Sequence, residues 1–318
     1  MDDFNLVREA AANLLSEKKV DKVLGFKRGS VALKTQPAFI TTVQDTKKLI
    51  LDGFCQNNLA VFLHDIPKDE RIAFICRGCE SRAVRALAIE HQVKRENLYL
   101  IGVPCTGILD WKKIQQTVNL LITSAVDDGE VLTIKSKGEK MILPRSQFIV
   151  DSCRACTSIE PVGVDEQIGQ VQPLDLGGEE IQATWAENFA EKSPDERFLL
   201  FTEETDRCIR CYACREACPM CYCTECFVDH IMPRWSESMV TPSGTQAWHL
   251  IRAFHQTGRC VECGACERAC PMNIKMTYMT DKLNADMKEK YGFEVGADEK
   301  KQPPFASITL DDKNRFIK

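Results

Sequence analysis

Two cysteine runs constrain this chain more than any other feature. The first reads Cys208-Ile-Arg-Cys211-Tyr-Ala-Cys214-Arg-Glu-Ala-Cys218-Pro219, and the second reads Cys260-Val-Glu-Cys263-Gly-Ala-Cys266-Glu-Arg-Ala-Cys270-Pro271. Both have the C-x-x-C-x-x-C-x-x-x-C-P spacing by which bacterial-type ferredoxins hold 4Fe–4S cubes. Gaps of two residues let one tight turn present three thiolates to three irons. The proline ends that turn and sends the fourth cysteine towards the partner cluster. The spacing therefore predicts one cluster on Cys208, Cys211, Cys214 and Cys270, and a second on Cys260, Cys263, Cys266 and Cys218. Zinc is the competing reading, because C-x-x-C pairs also build tetrahedral sites. A zinc ribbon, however, uses two such knuckles per metal and gains nothing from a third cysteine at the same step or from a terminal Cys-Pro.

The chain has 318 residues, 44% of them apolar, which suits about two domains with packed cores. A net charge of −5 argues against nucleic acid or an anionic membrane as the main partner. The acidic start, Met1-Asp-Asp-Phe-Asn5, lacks the basic and apolar regions of a signal peptide. No apolar run approaches the ~18 residues that span a bilayer. The expectation is a soluble, cytoplasmic protein without a membrane span. Seventeen cysteines in such a compartment read as metal ligands rather than as a disulfide framework. Eleven lie within 208–270; the other six, from Cys55 to Cys156, need a separate explanation.

Taken in order, residues 4–18 have the periodicity of an amphipathic helix, with Phe4, Val7, Ala11 and Leu14 on one stripe and Asp2 or Asp3 as cap. Val20–Phe26 and Ala38–Thr42 read as strands, and Asp45–Leu63 as mostly helical with a break near Asp52-Gly53. The clearest fold signal is Arg71–Cys105: a strand to Cys76, a helix over Ser81–Gln92 and a strand over Asn97–Val103. That is a βαβ unit, hence a parallel pair with a right-handed crossover. Cys76, Cys79 and Cys105 then converge on the carboxyl edge of the sheet, where open α/β folds bind their ligands. Cys79 also precedes a helix N-terminus, which favours a thiolate. Further on, Thr117–Ile122 and Val131–Ile134 read as strands around an Asp127-Asp128-Gly129 turn. Cys153-Arg-Ala-Cys156 follows in a turn and, with Cys79 and Cys105, makes a set of four.

Glu160–Gly178 is loop-like and is taken as the seam between domains. Ile181–Glu191 and Ser193–Glu204 read as helices, the second opened by Ser193 as cap with Pro194 at its first position. Between the two cluster runs lies an insertion with Cys221-Tyr-Cys223-Thr-Glu-Cys226, which a minimal ferredoxin does not need. These three cysteines form a chelating hook for a further cluster, with Cys55 or Cys76 as fourth ligand; the competing reading is three small buried residues. Helix Thr245–Gln256 carries His249 and His255, read as structural. Arg207, Arg210, Arg215, Arg259 and Arg268 flank the runs, either offsetting cluster charge or simply solvated. A helical segment starts near Met276, and the tail beyond it is expected to pack along the surface or on a partner. No G-x-G-x-x-G follows a strand, so a Rossmann nicotinamide site has no support. No Cys-Cys pair occurs of the kind used by catalytic disulfide-reducing subunits.

Ile75-Cys76-Arg-Gly-Cys79-Glu-Ser-Arg-Ala83, Ile101-Gly-Val-Pro-Cys105, Cys153-Arg-Ala-Cys156-Thr157 and the dicluster segment together resemble the beta-subunit family of the deazaflavin-coenzyme hydrogenases and formate dehydrogenases. The matching stretches are scattered across roughly residues 70–275. The resemblance implies a third 4Fe–4S cluster on Cys79, Cys105, Cys153 and Cys156. It also implies FAD with hydride exchange in many members, and partner subunits of hydrogenase, formate dehydrogenase or heterodisulfide-reductase-like type. The loop after Thr157 reads Ser-Ile-Glu-Pro-Val-Gly where the family's flavin loop usually reads Ala-Asp-Ile-Ser followed by Gly.

The expected architecture is α/β: a parallel-sheet N-terminal domain (1–178), a ferredoxin-like domain for two 4Fe–4S clusters with a cysteine-rich insertion (179–280), and a tail (281–318). The expected function is an electron-transfer subunit of an anaerobic oxidoreductase complex. The alternative is a flavin-containing subunit that itself converts a hydride into single electrons. Protein purified without oxygen should carry about 12 irons with matching sulfide, or about 16 if the Cys221 hook is filled. Zinc in place of iron, or close to eight irons in fully loaded protein, would remove the N-domain cluster from this reading.

Overall fold

The computed structural model describes residues 3–67, 69–170, 180–181, 188–189, 191–237 and 239–306. Most of the helix expected over Ile181–Glu191, the later part of the Glu160–Gly178 seam and the last twelve residues of the tail lie outside the described residues. The chain begins with α1 (Asp3–Ser16), β1 (Lys22–Arg28), β2 (Thr35–Ile40), β3 (Leu49–Ile50), β4 (Ile72–Cys76), α2 (Gly78–Ile89) and β5 (Leu98–Gly102). It continues with α3 (Trp111–Val118), β6 (Ile122–Asp127), β7 (Val131–Ser136), β8 (Glu139–Pro144), the one-turn helix α4 (Asp151–Arg154) and β9 (Glu166–Gln167). The ferredoxin-type part holds α5 (Pro194–Asp206), α6 (Ala213–Glu216), α7 (Pro242–His255), α8 (Ala265–Ala269) and α9 (Thr277–Tyr291).

The main sheet has the order β2-β1-β4-β5-β9, with β3 also on β1. β1, β4, β5 and β9 run parallel, while β2 and β3 run antiparallel to β1. β4 (Ile-Ala-Phe-Ile-Cys) is buried at every position, as a central strand covered on both faces must be. α1 covers one face with Val7, Ala11 and Leu14, against Val23, Ala73, Ile75 and Ile101. The other face is covered by α2, by the 3-10 turn Leu59–Asp65, and by pieces of the cluster-run segment and of the chain after α9. The helix-and-strand reading of Arg71–Cys105 therefore holds, with Cys76 paired to Gly102 at the last rung.

Several expectations give way to local chemistry. Asp45–Leu63 is not mostly helical. Thr42 caps a single 3-10 turn over Val43–Lys48, β3 then pairs with β1, and a second 3-10 turn is capped by Asn58. Thr117–Ile122 is not a strand. Asp110 caps α3 through the Lys112 and Lys113 amides, and Asn119 ends the helix in the left-handed region, φ 48°. β6 starts only at Ile122 and forms a three-stranded antiparallel sheet with β7 and β8. Cys153 lies in α4 rather than in an open turn. α7 begins earlier than Thr245, because Thr241 caps it and Pro242 occupies its first turn. The Ser193 cap is as expected, with Glu196 closing a capping box.

The small sheet is bolted to the main one by a buried ion pair. Arg145 Nε donates to Asp127 Oδ1 at 2.8 Å, and both side chains are 3% exposed. The same guanidinium holds the Thr106 and Gly107 carbonyls at 2.6 and 2.9 Å, and Asp127 Oδ2 accepts from the Gly53 amide at 2.9 Å. Breaking one side of a buried pair leaves a lone charge, so Arg145→Leu should cost about 3–5 kcal/mol. Anaerobic thermal or urea unfolding of the variant checks this; an unchanged midpoint would show that the pair does not hold the two sheets together.

Candidate metal centre

Three groups of thiols assemble at the carboxyl edge of the main sheet and below it. Cys79 sits in the first turn of α2, Cys105 three residues beyond β5, and Cys153 and Cys156 at α4 and just after it. Cys105 lies in electrostatic reach of Cys79 and Cys153, and Cys156 in reach of Cys105 and Cys153. A second group brings Cys260, Cys263 and Cys266 to Cys218 from the other run. A third brings Cys208, Cys211 and Cys214 to Cys270, and all four line one small cavity. Each ferredoxin run thus contributes its fourth cysteine to the other run's group. The groups also follow one another in space: Cys79 is a neighbour of Cys263, and Arg252 touches the fields of Cys214, Cys218 and Cys266.

The loops explain how three thiols face one point. In the first run Arg210 and Tyr212 have φ of 49° and 60°; in the second Glu262 and Gly264 have 57° and 64°. The same two positions in each repeat are left-handed, so the chain curls around the sulfurs and turns its amides inward. At Gly264 the φ favours glycine, and an added Cβ would run into Ser152. Backbone amides donate to sulfur from Arg210 to Cys208 (3.3 Å), Gly107 to Cys105, Ile108 to Cys153 and Ser158 to Cys156 (each 3.4 Å). Gly78 has a separate role. Any side chain there would strike the Ser158 carbonyl, so glycine lets the loop after Cys156 close over the start of α2.

These donors fit anionic iron–sulfur groups. Burial is the main force pushing the Cys79, Cys260 and Cys263 thiols up and the Cys156 thiol up to about 12, so the sulfurs shed their protons only to a strong positive partner such as iron. Orphaned donors stand among them: Arg210 Nε, His249 Nε2, Arg252 Nε and Asn58 Nδ2 are buried without hydrogen-bond partners among the described residues. His249 lines the same cavity as Cys208, Cys211, Cys214 and Cys270. Among the described residues no group of three or more His, Cys, Asp or Glu is gathered to hold a metal ion.

The insertion cysteines occupy three different surroundings. Cys221 shares Gln256 and a thiol–thiol hydrogen bond with Cys218, which favours charge on Cys221. Cys223 is exposed, and Cys226 packs near Trp248 beside Arg215. Cys55 is buried under Asp52, and burial pushes its thiol up to about 12. Cys76 is buried in β4. The five flanking arginines are mostly ties. Arg210 holds the Glu237 and Met239 carbonyls, Arg215 pairs with Asp229, Arg259 with Glu90 and Arg207 with Glu204, while Arg268 holds the Gln56 and Cys263 carbonyls. Two buried cations beside the thiols escaped the sequence reading. Arg77 stands beside Cys79 and Cys105, and Arg252 lies inside α7. For Arg252 a signal existed, because Thr245, His249, Arg252 and Gln256 place polar groups along the stripe that faces the core.

Residues 204–274 match the family model described as 4Fe-4S dicluster domain, and residues 69–222 match that of the C-terminal part of the coenzyme F420 hydrogenase/dehydrogenase beta subunit. The chain is 25% identical to the F420-dependent formate dehydrogenase subunit beta of Methanocaldococcus jannaschii, over 92% of this chain and 91% of that protein. It is 23% identical to the F420-dependent formate dehydrogenase 1 subunit beta of Methanococcus maripaludis, over 91% and 90%. A chain of the F420-reducing NiFe hydrogenase complex from Methanosarcina barkeri aligns with a TM-score of 0.41 and 14% identity, over 63% of this chain and 86% of that one. No helix among the described residues is long and apolar enough to cross a membrane.

Proposed function

The chain belongs to the beta-subunit family of the coenzyme F420 hydrogenases and dehydrogenases, and from that premise we propose that it relays single electrons through three 4Fe–4S clusters in series inside a cytoplasmic anaerobic complex. Its membership makes it an iron–sulfur electron-transfer subunit of an oxidoreductase. In this reading Cys79, Cys105, Cys153 and Cys156 hold the first cluster, Cys260, Cys263, Cys266 and Cys218 the second, and Cys208, Cys211, Cys214 and Cys270 the third. When bound, such clusters store and pass one electron each. The chain supplies position and tuning: curled loops, amide donors to sulfur, and buried cations between groups. The observation that carries the proposal is that Cys79 and Cys263 lie in electrostatic reach of each other and share the Cys55–Gln56 loop, held by Arg77 on one side and Arg268 on the other. Partner subunits of formate dehydrogenase, hydrogenase or heterodisulfide-reductase-like type would take the two ends of the line.

Cys105→Ala tests the order. The N-terminal cluster should be lost while the ferredoxin-type pair stays assembled, because none of its ligands is touched. Turnover of the whole complex should fall sharply, yet low-potential dyes should still reduce the remaining pair. Normal turnover by a variant shown to lack that cluster would make the N-terminal group structural.

A second reading has an observation of its own. A cavity of about 620 Å³ lies between the loop after Cys156 and α9, lined among others by Thr157, Glu262, Tyr278, Asp281 and Asn284. Tyr278 Oη and Asn284 Oδ1 are buried there without partners among the described residues. It adjoins both the N-terminal group and the Cys260 run, where a flavin that splits a hydride into single electrons would be well placed. Acid extraction of the purified protein followed by absorbance and fluorescence should release about one flavin per chain if this holds; an extract without flavin leaves the relay alone.

A further inference from the structure

One buried charge stands between the two cysteine runs, that of Arg252. It sits on α7, 5% exposed, and no carboxylate pairs with it among the described residues. Its Nη2 donates to the Cys214 carbonyl at 3.2 Å and its Nη1 to Met276 Sδ at 3.7 Å, while Nε has no partner among the described residues. The groups within its electrostatic reach are thiols, namely Cys266, Cys218, Cys221 and Cys214. Two of these, Cys218 and Cys266, belong to one ferredoxin-type group, and Cys214 belongs to the other. Leaving a guanidinium in a low-dielectric interior without an anion is very costly. A protein that buries one beside two groups of thiols has placed its counter-ion in the metal groups.

We propose that Arg252 is a shared counter-cation for the two ferredoxin-type clusters, stabilising their reduced forms and raising both potentials together. The inference rests on the proposed occupancy of those two groups. A cube held by four thiolates is a net anion, and each added electron deepens that charge. A fixed cation between the two favours reduction of both by Coulomb attraction that buried surroundings screen weakly. It also offsets the repulsion that the electron on one cluster exerts on the other. Of the flanking arginines, Arg207, Arg215 and Arg259 spend their charge on nearby carboxylates, while Arg210 acts on Cys208 and Arg268 on Cys263, one group each rather than both. Arg252 is thus a tuning residue rather than a ligand.

The test is an EPR-monitored redox titration of the full chain, purified anaerobically, as wild type, Arg252→Gln and Arg252→Lys. Removing the charge should lower both ferredoxin-type midpoint potentials and leave the N-terminal cluster's potential in place, while Arg252→Lys should keep both near wild type. Unchanged potentials in Arg252→Gln, a shift of one cluster only, or an equal shift of all three would overturn the proposal. If Arg252→Gln loses iron from the pair and Arg252→Lys retains it, the charge requirement stands. Loss of the pair from Arg252→Lys as well, with the N-terminal cluster kept, would show that shape rather than charge matters and overturn it. A wild type that shows no ferredoxin-type signals fails the occupancy itself, which is a separate outcome.

Discussion

Where β4 turns into α2, a guanidinium and a carboxylate are buried together, and the cysteine groups on both sides depend on them. Arg77 Nε and Glu80 Oε2 lie 2.9 Å apart, with side chains 4% and 1% exposed. Arg77 also holds the Cys55 and Asn57 carbonyls at 2.9 and 2.7 Å, and Glu80 accepts from the Leu59 amide at 2.9 Å. The pair therefore fixes the 52–60 loop against the start of the helix that carries Cys79. That loop is what the second ferredoxin-type group leans on, since Arg268 grips the Gln56 and Cys263 carbonyls together. Such a pair adds little net stability compared with an apolar substitute, but it does not tolerate the loss of one partner. Its value here is positional. One buried charge pair sets the spacing between two thiol groups.

The ferredoxin-type part has a small apolar core of its own, built on Trp248, Ile274 and Met276 with cysteines filling the remaining space. It borrows the rest from the sheet. Met220, Val261, Phe293 and Val295 are buried in the same cluster as Phe74, Leu87 and Leu100 of the N-terminal half. Polar ties follow the same seam, with His64 bonded to the Pro219 carbonyl at 2.7 Å and Lys112 to the Cys270 carbonyl at 2.7 Å. The segment after α9 returns to α2, where Arg82 holds the Val295 carbonyl and Arg85 the Ala297 carbonyl, both at 2.7 Å. Folding of the cysteine-rich part is thereby coupled both to the metal it holds and to the sheet it sits on.

Local backbone strain recurs at matching places in the two cysteine runs. Arg210, Tyr212 and Glu262 adopt left-handed φ angles that cost a residue with a side chain roughly 1 kcal/mol each. Their repetition at equivalent places in both runs shows that the spacing demands this curl whatever residue stands there. The amide-to-sulfur contacts that result are the means by which a protein stabilises thiolates and adjusts what they bind.

Much of the chemistry was legible in the sequence because it is local. Cysteine spacing is set by the geometry of a single turn, and the crossing of Cys218 and Cys270 follows from the proline after each. The βαβ unit was legible too, because an apolar strand, a 3.6-period helix and a second apolar strand are period signals. The short elements were not. Thr117–Ile122 has strand propensity, but the Asp110 cap and the Asn119 stop are decided by hydrogen bonds that outweigh it. The joining of Cys79 and Cys105 with Cys153 and Cys156 needed the sheet edge and α4 to be in place. Arg77 could not be told from a surface arginine by its sequence neighbours, and Arg252 was marked only by the polar stripe of α7, since a charge becomes functional only when tertiary packing removes water from it. By itself, then, the sequence determined which thiols curl together and in what fold class they sit. Tertiary structure alone decided which buried cations face them and in what order the groups stand, because burial and distance between remote segments are properties of the packed chain.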